Sequence, residues 1–243
     1  MRRALSVIWF SIRAVYDELL VLAGIGGIWL AMSLLLPLGV LWLTRSLPVS
    51  VITILLNLGS FALMPPCTAA VFEVAVSIAR EKRIEFGYFW QGFKAHWKTS
   101  YKIAGILFIS GAVLVFNALF YLDHAQNTLF LVLGISVLWG LLFWLCVQIY
   151  LWPLGTQKEK RTMPMVQGVG LLTLAFPIFA LVIMIAIALV TALSIVLPAL
   201  LPLWMPFVAV LSSRAFESSS HQVDTLKKMW HERDVVETLP RNK

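Results

Sequence analysis

Long apolar runs alternate along the chain with short polar or basic breaks. They fall at about 19–44, 49–79, 103–122, 128–152, 166–192 and 193–212. A bilayer core of about 30 Å needs roughly 20 apolar residues in helical form, so each run is long enough to cross a membrane. The pattern predicts an all-α fold: a polytopic transmembrane helix bundle of about six spans, covering 19–212, with interfacial amphipathic helices beside it.

Composition supports a lipid environment. The chain is 60% hydrophobic and 13% charged, whereas a soluble domain carries about 25% charged residues. The formal charge of +7 suits the positive-inside rule and attraction to anionic lipid. We therefore predict the lipid bilayer as a partner and no binding of nucleic acid.

The distribution of basic residues decides the number of spans, because no polar loop separates 166–192 from 193–212. Six spans with cytoplasmic N- and C-termini leave Arg45 as the one Lys or Arg outside the cytoplasmic segments. Five spans would place the six basic residues of the tail outside, against the positive-inside rule. The charges thus predict six spans, a tight hairpin between the last two, and a cytoplasmic tail over 213–243.

The N-terminal segment and the cysteines give two smaller predictions. Residues 1–18 are predicted to form a cytoplasmic amphipathic helix on the membrane, with Trp9, Phe10 and Ile12 entering the lipid. Cys67 and Cys146 both lie in apolar runs without paired spacing, which indicates free, packed thiols and neither a disulfide nor a metal site.

Two spacing patterns bear on how the spans pack. Pro198, Pro202 and Pro206 lie four residues apart and predict a bent last span, either packed around the bundle or lining a substrate path as a broken helix. Small residues four apart predict helix contacts. These are Ala23, Gly27 and Ala31 in the first span, and Ser136 and Gly140 in the fourth.

The second run is too long for one straight span and contains two adjacent prolines. Its later part reads LMPPCTAAVFEVAVSIAREKR. The residue before a proline is disfavoured in helical geometry, whereas proline itself is accepted in the first turn of a helix. We predict a helix ending near Met64 and a second helix starting at Pro66, which leaves the membrane near Arg80.

Glu73 is the one carboxylate inside an apolar run, where charged groups are costly and often functional. On a helix it shares a face with Ser77 and Arg80. Two interpretations stay open: an ion pair with a basic residue near the headgroups, or a role in binding a ligand or a proton. The candidate intramembrane polar site comprises Glu73, Thr68, Ser77, Asn57 and Asn117.

The basic loop over 80–102 contains aromatic residues at helical spacing, at 86, 90, 93, 97 and 101, beside a stripe of lysines. This pattern predicts an interfacial helix with rings in the acyl boundary and lysines at the phosphates. Docking of a cytoplasmic partner is the alternative. We define the basic aromatic surface as Trp90, Phe93, Lys94, Trp97, Lys98 and Lys102.

Three motifs carry a resemblance to a known family: PPCTAAVFEVA, FWQGFKAHWKTSYKIAGI and VQIYLWPL. Together they resemble the YesL-like integral membrane proteins, a bacterial family filed as domain of unknown function 624. The resemblance implies a multi-pass protein of the bacterial cytoplasmic membrane. It also implies an accessory role in carbohydrate uptake, because family members are often encoded beside carbohydrate-uptake and glycoside-degrading genes. It supplies no catalytic residue and no cofactor.

The motifs of common enzyme classes are absent from the sequence: there is no H-E-x-x-H, no P-loop and no G-x-S-x-G. The histidines His96, His124, His221 and His231 are spread along the chain. We therefore predict no enzyme activity and no catalytic, cofactor or metal site. The first hypothesis is an accessory or scaffold subunit, with an ABC-type sugar permease or another membrane protein as partner. The alternative is a small stand-alone permease for a small polar solute such as a sugar.

Overall fold

The computed structural model describes residues 2–47, 50–80, 84–124, 126, 128–156 and 162–238, and the regular elements in these ranges are helical. Parts of the predicted N-terminal helix, second span, basic loops and tail lie outside the described residues, at 1, 48–49, 81–83, 157–161 and 239–243. The α-helices are α1 (Arg2–Asp17), α2 (Leu19–Leu30), α3 (Leu36–Thr44), α4 (Val51–Phe61), α5 (Met64–Ala79), α6 (Phe86–Ala95), α7 (Trp97–Asp123), α8 (Thr128–Gly155), α9 (Thr162–Ala175), α10 (Pro177–Val196) and α11 (Leu201–Thr238). A π-helical stretch, Ala31–Leu35, joins α2 to α3, and a 3-10 turn, Pro198–Leu200, precedes α11.

Six helical segments of the described chain are long and apolar enough to cross a membrane. They are Leu19–Thr44, Val51–Ala79, Trp97–Asp123, Thr128–Gly155, Pro177–Val196 and Pro198–Val223. The prediction of an all-α, multi-pass bundle with six spans is therefore confirmed. The cytoplasmic position of both termini stays a prediction, since it rests on the charge distribution alone.

Two helices, α5 and α11, run through the centre of the bundle. α11 packs against α1, α2, α5, α8 and α10, whereas α5 packs against α2, α6, α7, α8 and α11. The outer faces of α7 and α8 carry exposed apolar side chains such as Phe108, Phe116 and Trp139. Exposed apolar side chains on these long helices are what a lipid-facing surface requires.

The close contact between α2 and α11 uses Gly26, and the predicted seam through Gly27 is wrong. A Cβ on Gly26 would collide with the carbonyl of Pro202, whereas a Cβ on Gly27 would meet no atom within 4 Å. The buried stripe of α2 runs through Leu22, Gly26 and Trp29. Spacing alone identified small residues but could not tell which of two neighbouring stripes faces the partner helix.

The last two spans meet later in the chain than predicted. The predicted span 166–192 is two helices, because α9 ends at Ala175 and α10 begins at Pro177. The hairpin turn lies at 197–200 and so does not fall at 192–193. Apolar residues continue through both breaks, so hydropathy gave no boundary there, whereas proline set the starts of α10 and of the 3-10 turn.

The proline stripe of the last span is packed against the first span. Pro202 and Pro206 both lie against Gly26, and the indole rings of Trp29 and Trp204 are 5.7 Å apart. Trp204 also donates from Nε1 to Thr191 Oγ1 at 2.9 Å. Of the two predicted interpretations, the packed and bent helix is the one that these contacts favour.

The first part of the predicted tail belongs to the core. α11 continues without a break to Thr238, and Ser213, Ala215 and Phe216 are buried. Small side chains here let α1 pack closely against α11. The N-terminal helix is amphipathic as predicted: Ser11 is fully buried, while Trp9, Phe10 and Ile12 point outward.

Candidate functional site

The break between α4 and α5 is stabilised by a tyrosine from α7. In a continuous helix the carbonyls of Phe61 and Ala62 would accept from residues 65 and 66, but both are prolines without an N–H. Tyr101 replaces one of these donors, because its hydroxyl donates to the Ala62 carbonyl at 2.6 Å. The predicted break near Met64 is thus present, with α5 starting two residues before the predicted Pro66.

Thr68, in the first half of α5, ties this helix to the first span. Its hydroxyl donates to the Met64 carbonyl at 2.8 Å and accepts from Trp29 Nε1 at 3.1 Å. Both Thr68 and Trp29 are buried, so the two bonds satisfy polar groups that would otherwise be costly inside the bundle. These bonds hold the start of α5 against the first span.

Glu73 meets an unexpected partner, His96. The Nε2 atom of His96 lies 3.2 Å from Oε2 of Glu73, and their side chains are 9% and 33% exposed. Gly92, one turn before His96, makes this approach possible. A Cβ there would lie 2.8 Å from Glu73 Cβ and 3.3 Å from the backbone of Ala70. Glycine therefore allows α6 to lie directly on α5.

His96 also divides the predicted basic aromatic helix into two. Its N–H donates to the Gly92 carbonyl at 3.0 Å and ends α6, and its carbonyl accepts from the Ser100 N–H at 2.8 Å in α7. No role for His96 was predicted from the sequence. The buried face through Phe89, Gly92, His96 and Ser100 has helical spacing. This stripe, next to the aromatic one, was the signal that could have found His96.

The other members of the predicted polar site do not join Glu73. Asn57 donates to Thr44 Oγ1 at 3.0 Å and to the Thr53 carbonyl at 2.7 Å, so it links α3 to α4. Asn117 donates to the Val113 carbonyl of its own helix at 2.7 Å. Of the predicted set, only Thr68 and Ser77 lie on α5 with Glu73.

Arg80 is not the partner of Glu73, although the two were predicted on one face. Arg80 Nε lies 3.2 Å from Glu217 Oε1, in an ion pair whose side chains are 49% and 32% exposed. Ser77 is buried, one turn from Glu73. At this exposure the Arg80/Glu217 pair contributes little to stability, so its effect is to fix where the end of α5 meets α11.

The basic aromatic surface is an ordered row of rings beside exposed lysines. Successive rings from Trp90 through Phe93 and Trp97 to Tyr101 meet edge to face, with centroids 5.9, 5.3 and 5.5 Å apart. Lys94, Lys98 and Lys102 are exposed alongside them. Edge-to-face contacts fix the rings, and the Tyr101 bond anchors the row to the break in the second span.

Comparison with known proteins identifies one family. Residues 22–118 match the family described as "Protein of unknown function, DUF624". The match covers less than half of the chain and shows that this segment is similar to DUF624. No curated protein and no solved structure gives a significant match.

The DUF624 segment contains the residues just described. It runs from α2 into α7 and includes Gly26, the proline break, Glu73, His96 and the basic aromatic surface. The resemblance noted from the sequence agrees with this assignment. The family description gives no activity, so any function must be argued from the geometry of these residues.

The chemistry open to the Glu73/His96 pair is exchange of a proton. A neutral imidazole can donate from Nε2 to the carboxylate, and a protonated one forms an ion pair with it. Since Glu73 is one-third exposed, its carboxylate can also reach a polar group outside the pair. In the described part of the chain, no cluster of three His, Cys, Asp or Glu side chains could hold a metal ion.

Proposed function

We propose that the protein is an accessory or scaffold subunit of a membrane assembly and that the basic aromatic surface is its contact with the partner. The observation that carries this proposal is the fixed row of Trp90, Phe93 and Trp97 beside exposed lysines. Large aromatic residues dominate binding energy at interfaces. A rigid row loses little conformational entropy when a partner binds.

The packing of the last span also supports a scaffold. A permease of this size would need an open path, and broken helices often line such paths. Here Pro202 and Pro206 lie against Gly26, so the bend of the last span is filled by protein. The link to carbohydrate uptake rests on the family resemblance, and an ABC-type sugar permease of a bacterial cytoplasmic membrane is the proposed partner. The proposal includes no catalytic step.

The test is co-purification from native membranes in a mild detergent, with quantitative mass spectrometry of the associated proteins. Lys94→Gln combined with Lys98→Gln is compared with wild type. Arg13→Gln combined with Arg45→Gln, two exposed arginines outside the basic aromatic surface, serves as the charge-matched control. We expect a stoichiometric permease subunit with wild type and its loss in the Lys94/Lys98 variant. Recovery of wild type without a partner would contradict the scaffold.

A second candidate, a small proton-linked permease for a polar solute, is favoured by one observation: the contact between Glu73 and His96. In this alternative the carboxylate exchanges a proton or binds the solute. Reconstituted protein is assayed for uptake of labelled sugars into liposomes with an imposed pH gradient. Uptake by wild type that Glu73→Gln abolishes, with unchanged protein yield and thermal stability, would support it. No uptake by wild type would reject it.

A further inference from the structure

A cavity of about 600 Å³ lies at one end of the bundle, and its lining includes neither the Glu73/His96 pair nor any residue of the basic aromatic surface. Three elements enclose it: the start of α1, the junction of α9 with α10, and the later part of α11. Its polar lining residues are Arg3, Ser219 and Gln222. Ligand sites in proteins span about 300–1,000 Å³, so the space is large enough for a small molecule or a lipid headgroup.

The lining has one polar, positive side and one apolar side. Among the described lining residues Arg3 is the only charged one, so no carboxylate there offsets its charge. The apolar side is formed by Phe176, Ile178, Phe179 and Val182. This combination suits an anionic group attached to a hydrocarbon chain, because each part meets matching chemistry.

The position of the cavity along the bundle agrees with this chemistry. Pro177, in its wall, is the first residue of the fifth span, so the cavity lies where the chain enters the hydrophobic layer. The positive end of the α10 helix dipole adds to the charge of Arg3. Ile178 is 69% exposed and lies on the membrane side of this entry. A lipid headgroup would stand at the same depth, with its acyl chain beside α10.

We infer that this cavity binds the phosphate headgroup of an anionic phospholipid. Arg3 pairs with the phosphate, and Ser219 and Gln222 hydrogen-bond to the headgroup. Phe179 and Val182 contact the first part of an acyl chain. Basic pockets between helices at the cytoplasmic face are a known physical solution for binding such headgroups, and the charge count predicts this end of the bundle to be cytoplasmic.

The test measures lipid binding by native mass spectrometry of the full chain in detergent, titrated with phosphatidylglycerol or phosphatidylcholine. Arg3→Gln removes the proposed partner. Arg13→Gln is the matched control. Arg13 is also an exposed arginine of α1, but it does not line the cavity. We expect phosphatidylglycerol to bind Arg3→Gln about fivefold more weakly than wild type, which is the effect of about one basic residue at a membrane surface. Arg13→Gln should bind this lipid as tightly as wild type.

A second variant distinguishes loss of the binding site from loss of folding. Ala175 lines the cavity and is exposed, so Ala175→Trp fills the space without changing any charge. It should also weaken binding of phosphatidylglycerol. Equal binding of both lipids, or equal loss in Arg3→Gln and Arg13→Gln, would overturn the inference. The inference would also be overturned if glycerol 3-phosphate or inorganic phosphate displaced bound phosphatidylglycerol as effectively as added phosphatidylglycerol does, because the ligand would then be a soluble anion.

Discussion

The two halves of the second span, α4 and α5, come from one apolar run yet lie in different environments. α4 has a single buried residue, Ser60, whereas twelve of the sixteen residues of α5 are buried. The prolines at the start of α5 separate them, and Tyr101 satisfies a carbonyl at the break. α4 thus forms an outer hairpin with α3, and α5 becomes the central helix of the bundle.

This difference shows where hydropathy stops being informative in a membrane protein. Both helices are apolar, since lipid and protein interior favour the same side chains. What distinguishes α5 is that its polar side chains bond to helices distant in the chain, Thr68 to Trp29 and Glu73 to His96. The candidate site lies on the packed half for that reason, and four predictions test the contrast.

The largest effect is expected for Phe72→Ala in α5. Phe72 is 3% exposed and its ring stacks on Trp152 with centroids 5.8 Å apart. Truncation leaves a cavity that should lower the free energy of unfolding by about 3 kcal/mol. A denaturant titration in mixed micelles measures this. Leu55 in α4 is 61% exposed, so Leu55→Ala should change the free energy of unfolding by less than about 0.5 kcal/mol. Similar losses of stability in the two variants would contradict the difference between α4 and α5.

The second largest effect is expected for Gly92→Ala. The added methyl group overpacks against Glu73 and Ala70 and should lower the free energy of unfolding by about 1–3 kcal/mol. Gly59→Ala is its matched control on α4, because a Cβ there meets no atom within 4 Å and alanine is the better helix former. The thermal midpoints of the two purified variants give the comparison. If Gly92→Ala were as stable as Gly59→Ala, α6 would not rest on α5 as described.

Tyr101→Phe removes one hydrogen bond at the break and keeps the ring in the aromatic row. Loss of the bond to the Ala62 carbonyl should destabilise the protein by about 1 kcal/mol. Tyr16→Phe is the control, since Tyr16 is 76% exposed on α1. Both variants are measured by the same titration, and an unchanged value for Tyr101→Phe would show that the break does not depend on this donor.

The smallest effect is expected in the outer hairpin. Asn57→Leu removes the hydrogen bond to Thr44 and should lower the free energy of unfolding by about 0.6 kcal/mol, the typical contribution of an interhelical hydrogen bond in lipid. Asn117→Leu loses only a bond within its own helix and should leave stability unchanged. The titration would speak against this account if Asn117→Leu were the more damaging change.

The sequence predicted the features that depend on local chemistry. The first span matches its predicted bounds, 19–44, because a polar boundary marks each end. The proline break was predictable because proline acts on its own backbone and on that of its neighbours. The position of the turn at 197–200 was not, since the apolar run continues through it without a polar boundary.

The candidate site was predictable in its members more than in its contacts. Glu73 stood out because a carboxylate in an apolar run is rare. Its partner did not, because residues 73 and 96 are joined only by the packing of α6 on α5, which depends on Gly92. Asn57 and Asn117 looked equivalent to Thr68 by residue type, and only the fold shows that Asn57 bonds to Thr44 while Asn117 bonds within its own helix.

The most direct test of the central claim, that the basic aromatic surface contacts a protein partner, is photo-crosslinking in native membranes. A photoreactive amino acid replaces Trp97 or Trp90, and in the control it replaces Trp139, which is 66% exposed on the outer face of α8. We predict that positions 90 and 97 yield the same protein adduct, identified by mass spectrometry as a transporter permease subunit, and that position 139 yields lipid adducts alone. Lipid adducts alone at all three positions would contradict the proposal.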